Sequence, residues 1–360
     1  MKSIEYNLPD INFKINVSDS CFEKVKELLD ECMISSKKNS ERYIIIDYII
    51  DEKQYFNIKE KMEKGKKIIY HYFKERKAIK VKIDKVNYYT SNSWEYVGIQ
   101  MSETKYRMYV KEDNIYSRKW IIRIIREIYL REKEEIGFNF MHGTGVEIDK
   151  KGILLLGNSG SGKTTLAIKL LELGKRIKFM SNDRTFLNID RTMDYYPFGV
   201  SYAIGTVKNN KLLDEYFKKT RILEKNKNVK YEEASYQQKC MTPLIDITKV
   251  FPEVKIQTST TLNLIIFPTF EINRTKVECT SISNEEKKQL LEQTDFTPVD
   301  PETLRIPWIR ERKITDERLI ENKKILIDEI IKCVKIKRLK YGALSEVDEI
   351  LKILEESENE

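Results

Sequence analysis

Ten consecutive residues, Gly157-Asn-Ser-Gly-Ser-Gly-Lys-Thr-Thr-Leu166, constrain this chain more than any other stretch. They satisfy the pattern G-x-x-x-x-G-K-[ST] without a mismatch. The apolar run Ile153–Leu156 precedes them, at a length that suits a buried strand. Leu166–Leu173 follows, with Gly174 as a helix stop. Strand, glycine-rich loop and helix is the setting in which such a loop wraps phosphate. The glycines let backbone N–H groups turn inward around phosphate oxygens, and the helix start adds partial positive charge. On this basis Gly157, Asn158, Ser159, Gly160, Ser161 and Gly162, with Lys163, Thr164 and Thr165, bind a triphosphate. Lys163 reaches its β- and γ-phosphates, and the Thr164 hydroxyl ligates Mg²⁺. ATP, or another nucleoside triphosphate, and magnesium are the expected cofactors.

At 360 residues the chain is long enough for two domains. No stretch approaches 18 uncharged apolar residues, so no transmembrane helix is expected. The start, Met-Lys-Ser-Ile-Glu-Tyr, lacks the apolar core of a secretory signal, which makes a cytoplasmic location the expectation. Cys21, Cys32, Cys240, Cys279 and Cys333 are scattered, with no C-x-x-C, which argues against a disulfide framework or structural zinc. The net charge of +8 comes from Lys and Arg interleaved with Glu, not from one dense run. Such an excess suits a nucleotide, or an acidic protein or peptide partner, and falls short of a nucleic-acid footprint.

Before the loop the chain reads as regular elements, since no proline stands between Pro9 and Pro197. Ile11–Val17 alternates as a half-buried strand does. Ser18 or Asp19 starts a helix through about Met33. Strand-like runs follow at Tyr43–Ile50, Lys67–Phe73, Ala78–Tyr88, Tyr96–Met101 and Tyr106–Val110. His71 lies in one of them, where a lone histidine is expected to be structural. Ser117 to about Glu135 reads as a long helix bridging two domains, with Trp120, Ile121, Ile124, Ile125, Ile128 and Tyr129 at core spacing.

Eight of the thirteen glycines fall between Gly137 and Gly174, marking a region of sharp turns. Phe138–Ile148 reads as a strand, and Asp149-Lys-Lys-Gly152 as a hairpin turn into the loop strand. Arg176–Met180 is a further strand, ending at Ser181-Asn182-Asp183-Arg184. Thr206–Thr261 is charged and aperiodic, as a surface insertion or lid would be. Leu262–Phe267 reads as a buried strand stopped by Pro268. Glu317–Cys333 is an amphipathic helix, Val334–Tyr341 a strand and Leu344–Leu354 a closing helix. Asp183 stands twenty residues after Lys163 at a strand end, the place for a Mg²⁺ ligand or for a base accepting a hydroxyl proton. His142, beside Gly143, is a candidate to orient that base or touch the transferred group.

These residues carry a resemblance. Met141-His142-Gly143, Gly152 through Thr165, Leu173-Gly174 and Ser181-Asn-Asp183 resemble the kinase domain of HPr kinase/phosphorylase, a P-loop class shared with phosphoenolpyruvate carboxykinase. Met241-Thr-Pro-Leu244, Leu262–Pro268 and Lys337–Gly342 are similar to shorter HPr-kinase-like serine kinases, some of which phosphorylate ribosomally made peptides. The resemblance spans roughly 120–354 and is specific over 141–183. It implies ATP- and Mg²⁺-dependent phosphorylation of a serine or threonine hydroxyl, with Asp183 matching the second acid of a pair. Asn182 stands where the first acid would be, the spacing to it is two residues longer, and an arginine-glycine-rich segment is missing. Reverse phosphorolysis and HPr as acceptor are therefore not carried over.

The expected fold class is α+β or α/β. A β-rich N-terminal domain (1–116), for substrate or partner recognition, precedes an HPr-kinase-like P-loop domain with a mixed sheet (117–360). The expected activity is transfer of a γ-phosphoryl group to a hydroxyl of a peptide, protein or small-molecule acceptor. Asp183, His142 and Lys163 are the catalytic candidates, and Thr164 and Asp183 the metal ligands. No membrane or nucleic-acid partner is expected, and a homo-oligomer is compatible with the sequence. The competing expectation, raised by Asn182, is a nucleotide-binding regulatory module with little or no ATPase activity.

Overall fold

The computed structural model describes residues 1–36, 40–71, 77–221, 230–298 and 308–359. It is mixed α and β, in two compact units: Met1–Gly137 with Thr297–Leu319, and Phe138–Phe296 with Ile320–Glu360. The sequence places a boundary at 116. In the structure the helix that begins there belongs to the first unit, and a later segment returns to it.

The first unit holds β1 (Lys2–Leu8), β2 (Ile11–Val17), β3 (Tyr43–Ile50), β4 (Lys67–His71), β5 (Lys77–Ile83), β6 (Val86–Ser91), β7 (Val97–Ser102) and β8 (Lys105–Val110). They form one sheet in the order β1-β2-β3-β8-β7-β6-β5-β4. Ala78–Tyr88 is not one strand. Asp84 and Lys85 both take positive φ, 47° and 68°, as a two-residue type I′ hairpin turn requires. Without a glycine, that turn left no mark in the sequence. The side chain of His71 and residues 72–76 lie outside the described residues, so the expectation for that histidine does too.

Helices α1 (Phe22–Asp30), α2 (Glu52–Lys64) and α3 (Ile115–Glu135) complete the unit. α2 was hidden by its charge. Asp51 caps it by accepting from the Gln54 N–H at 2.9 Å, and Tyr55, Ile58 and Met62 pack with Val81 and Val97. The apolar stripe expected along α3 is buried from Trp120 to Tyr129. Its charged second half is buried as well. Arg131 donates to both oxygens of Glu134 at 2.7 Å and to Glu127 at 3.2 Å. The Trp308 N–H and Arg312, from the returning segment, meet the same two carboxylates. Paired this way, buried charges avoid the large penalty of standing alone.

The second unit is built on a mixed sheet, with strands β9 (Asn139–Met141), β10 (Gly143–Ile148), β11 (Lys151–Leu156), β12 (Ile177–Ser181), β13 (Thr185–Leu187) and β14 (Thr192–Tyr195). β15 (Val200–Ala203) and β16 (Lys239–Thr242) form a separate ribbon. β17 (Lys255–Ile256), β18 (Ser259–Phe270), β19 (Glu278–Ser281) and β20 (Lys335–Tyr341) return to the main sheet. Its order is β17-β12-β10-β11-β18-β14-β13-β9, with β20 beside β18 and β19 beside β20.

Four expectations need correcting in this unit. The strand Phe138–Ile148 breaks at His142, whose N–H leaves the ladder to donate to the Thr294 carbonyl at 2.7 Å. The helix after the loop, α4, begins at Lys163 and ends at Leu170; a tight turn follows in which Gly174 has φ 60°. β18 runs through Pro268 to Phe270, because pairing with β11 has ended at Ile266 and the missing proline N–H costs no bond there. The stretch Thr206–Thr261 is folded and not a loose insertion. α5 (Ile204–Lys208), α6 (Lys211–Thr220) and the short helix Asp246–Val250 lie in it. Leu213, Phe217, Tyr231 and Leu244 are buried there, and residues 222–229 lie outside the described residues. The helix Asn284–Thr294 and strand β19 gave no sequence signal, and the closing helix runs Val347–Asn359.

β11 is the middle of the sheet. It pairs antiparallel with β10 and parallel with β18, and Leu154, Leu155, Leu156, Leu264, Ile265 and Ile266 are fully buried around it. Each such side chain contributes about 1.5–3 kcal/mol on burial. Gly152 opens this pairing: a Cβ there would stand 2.4 Å from the Thr261 carbonyl oxygen. Gly152→Ala should therefore cost about 1–3 kcal/mol through overpacking, seen as a lowered urea midpoint with an unchanged slope. A variant as stable as the parent would show that the two strands need no close approach.

Candidate active site

Strand direction brings the candidate residues to one edge. β10 runs antiparallel to β11 and to β12, so β10 starts where β11 and β12 end. Gly143 stands opposite Leu156, and Gly145 opposite Ser181. His142 enters that edge just before β10, the loop Gly157–Gly162 leaves it after β11, and Asn182–Arg184 leave it after β12. β18 and β20, parallel to β11, end at the same edge with Phe270 and Tyr341 in register. Carboxyl ends of parallel strands are where ligands of such sheets bind.

Positive φ at Gly157, Gly160 and Gly162 (141°, 87° and 101°) shapes the loop. Gly162 also has no room for a side chain: a Cβ would lie 2.7 Å from Phe270 Cβ and 2.8 Å from the Tyr341 hydroxyl. Both strand ends clamp the loop. The Phe270 N–H donates to the Ser161 carbonyl at 3.2 Å, and the Tyr341 hydroxyl to the Gly162 carbonyl at 2.7 Å. Lys163 folds back over the loop and donates to the carbonyls of Gly157 (2.6 Å) and Asn158 (3.1 Å). Ser161 Oγ is buried beneath Gly157 with no hydrogen-bond partner among the described residues. The loop thus brings an orphan hydroxyl, an ammonium group and a helix start together, the groups that a phosphate chain would need.

Asn182 is 1% exposed. Its Oδ1 accepts from the Thr164 hydroxyl at 2.9 Å and from the Thr144 hydroxyl at 3.4 Å. A neutral acceptor thus orients the hydroxyl expected on the metal. Asp183, next along, has φ 69°, a left-handed conformation that Asp tolerates better than most residues. Its Oδ1 meets His142 Nε2 at 2.8 Å, and its Oδ2 accepts from Arg184 at 2.8 Å. His142 is stacked on Phe296, ring centroids 4.8 Å apart. Arg184 lies over the Phe198 ring at 5.6 Å. The expected residues Lys163, Thr164, His142 and Asp183 are therefore gathered at one edge.

Burial pushes the Asp183 carboxyl upward, but the His142 hydrogen bond and the charges of Arg184, His142 and Lys163 outweigh it. They hold the group well below the ordinary carboxylate range. It is ionised at neutral pH and is a weak base. Thr164 and Asp183 are the residues that would hold a Mg²⁺, which usually takes one or two carboxylates and keeps several waters. No cluster of three His, Cys, Asp or Glu side chains able to hold a metal occurs among the described residues.

Arg184, Phe296 and Lys239 were not anticipated. Arg184 adjoins Asp183 in the sequence, so its charge was readable. Phe296 comes from a stretch far along the chain. Lys239, on β16, donates to Ser159 Oγ at 3.3 Å, from a segment whose sequence suggested a surface insertion or lid. The five cysteines are free, three of them buried, and none takes part in the contacts described at this edge. Among the described residues no helix is long and apolar enough to cross a membrane. No model of a known protein family matches the chain, and no curated protein matches it significantly.

Because its folded pKa is depressed, Asp183 contributes stability that is complete above the unfolded carboxylate value of about 3.9 and is lost as pH falls through the folded value. The stability difference between the parent and Asp183→Asn should thus be present at neutral pH and shrink below about pH 4 in urea unfolding at stepped pH. A difference that persists unchanged into acid would mean that the surrounding cations do not hold the carboxylate.

Proposed function

We propose that this protein is an ATP-dependent kinase of the HPr-kinase-like P-loop type, transferring a γ-phosphoryl group to a hydroxyl of a peptide, protein or small-molecule acceptor. The observation that carries the proposal is the His142–Asp183 pair at the same sheet edge as Lys163 and Thr164. A loop that only stored nucleotide would need no carboxylate held between a histidine and an arginine.

In this mechanism the loop amides and Lys163 bind the triphosphate and stabilise charge on the γ-phosphoryl oxygens. Lys239 adds a second cation from the ribbon. Mg²⁺, held by Thr164 and Asp183 with the phosphates, would neutralise the charge that develops between the β- and γ-oxygens. Asp183 faces the acceptor hydroxyl and takes its proton as the new P–O bond forms and the bond to the β-phosphate oxygen breaks. A weak base suffices, because in a loose transition state the nucleophile is little bonded. His142 positions the carboxylate and is itself fixed by Phe296.

Lys163→Ala should lower the rate by about 10²–10³-fold, the cost of removing one fixed electrostatic donor. Asp183→Asn should bind nucleotide but fail to transfer. Both are measured with γ-labelled ATP, Mg²⁺ and candidate peptides or lysate, followed by mass spectrometry of the labelled species. Unchanged transfer by Lys163→Ala would sink the assignment.

Asn182 favours a second reading, a nucleotide-gated regulatory module, since a buried neutral amide replaces an acid. Label that reaches water slowly, or stays on ATP, in the presence of all acceptors would select it. Asn182→Asp tests the site directly. A carboxylate in so buried a place should lower the melting temperature without Mg²⁺ and nucleotide, and regain it when both are added. Equal melting shifts for parent and variant on adding both would show that position 182 does not face the metal.

A further inference from the structure

We infer that the acceptor is an extended, acidic peptide segment that adds a third strand to the ribbon of β15 and β16, along the outer edge of β16. This rests on the kinase reading above and supplies the acceptor class that reading leaves open.

Hydrogen-bond phase leaves that edge open. Val200↔Thr242, Ser201↔Met241, Tyr202↔Cys240 and Ala203↔Lys239 are partners in the ribbon. One step further along the same register, the Ile204 N–H donates to the Gln238 carbonyl at 2.8 Å. Bonded and non-bonded pairs alternate in an antiparallel ladder. Tyr202–Cys240 and Val200–Thr242 are therefore the bonded pairs, and the N–H and C=O groups of Lys239 and Met241 point away from β15. Among the described residues no strand pairs with β16 on that side, and no loop backbone bonds to Met241. β15 lies against α4, whereas Met241 is 51% exposed. A ribbon of two strands is marginal by itself, and an unpaired edge is a template for one more.

The same strand faces the site. Lys239 and Met241, two residues and about 7 Å apart, present their side chains on one side of the ribbon, while Cys240 and Thr242 are buried on the other. Lys239 Nζ reaches Ser159 Oγ in the loop. Met241 abuts Gly199, where a Cβ would lie 3.2 Å from its sulfur. Gly199 follows Phe198, over whose ring Arg184 lies, and Arg184 donates to Asp183. The exposed side of β16 thus runs from the phosphate loop to the neighbours of Asp183. In a strand laid beside it, a serine opposite Lys239 turns its hydroxyl toward the loop, and the residue two positions away meets Met241.

Charge selects the occupant. No Asp or Glu stands in 195–213 or in 234–245, where Lys208, Lys211 and Lys239 do. Asp214 and Asp246, which end these stretches, are held by Lys218 and Lys249. An acidic segment complements such a surface. A second copy of this chain would bring another Lys239 and no acid to the edge.

The test incubates the full chain with γ-labelled ATP, Mg²⁺ and a library of ten-residue peptides with one central serine. Two further libraries carry backbone N-methyl groups, one at the residues two positions either side of the serine and one at its immediate neighbours. The parent should label the unmodified library, enriching Asp or Glu near the serine and an apolar residue two positions from it. Methylation two positions away should cut labelling at least about ten-fold, the scale of one or two lost hydrogen bonds. Methylation of the immediate neighbours, whose N–H groups point away from β16, should leave it unchanged. Met241→Pro, which removes an edge N–H and none of the ladder, should lose the same factor and keep the parent's Mg²⁺–ATP affinity, a sign that it is folded. Equal labelling of the two methylated libraries, free serine labelled as well as the peptides, or lysate proteins labelled with no peptide labelled overturns the strand addition and leaves the kinase reading standing. If label leaves ATP for no acceptor, lysate included, the kinase reading falls and this inference falls with it.

Discussion

The parallel pairing of Lys151–Leu156 with Ser259–Phe270 is the constraint on which the second unit depends. It joins the strand that feeds the loop to a strand about a hundred residues later, and Gly152 permits the approach. Once that pair is made, Phe270 arrives beside Gly162, and β20 brings Tyr341 to the same place. The loop is therefore not a flexible turn between a strand and a helix. Two strand ends hold its carbonyls, so its conformation is set by the sheet and not by the loop's own sequence alone.

The opposing effects at Asp183 decide its chemistry. Burial alone would make it a neutral acid. The His142 hydrogen bond and the charges of Arg184 and Lys163 win, and the group is a firmly ionised carboxylate. Beside it Asn182 does an acceptor's work without charge. Two acids in that position would repel each other in so buried a site. One acid and one amide relieve the repulsion and leave one negative charge at this strand end in place of two.

What could be read from the sequence was local. The loop, its flanking strand, a helix after it, a hairpin turn within Asp149–Gly152 and the buried stripe from Trp120 to Tyr129 all rest on short-range spacing, and the structure has them, with the helix shifted to Lys163–Leu170. The errors share one cause. The Asp84–Lys85 turn carries no glycine, the helix Glu52–Lys64 is masked by lysines and glutamates, and the buried Glu127–Arg131–Glu134 network reads as surface until Trp308 and Arg312 arrive. The aperiodic stretch after Thr206 folds because separate short pieces share one core, with Tyr202 edge-on to Phe217 at 5.9 Å. No local period records that.

The sequence by itself determined that a glycine-shaped loop stands between a strand and a helix, because glycine conformation and the i-to-i+5 and i+6 spacing of its Gly and Lys are properties of adjacent residues. It also placed an acid soon after the following strand. Only the tertiary structure decided that His142, Asp183 and Lys163 meet. That follows from the antiparallel course of β10 between two strands, which brings one beginning and two ends to a single edge. It decided too that Lys239 and Phe296 join them. Those neighbours are set by pairing across a sheet, and pairing between distant strands leaves no trace in the spacing of either one.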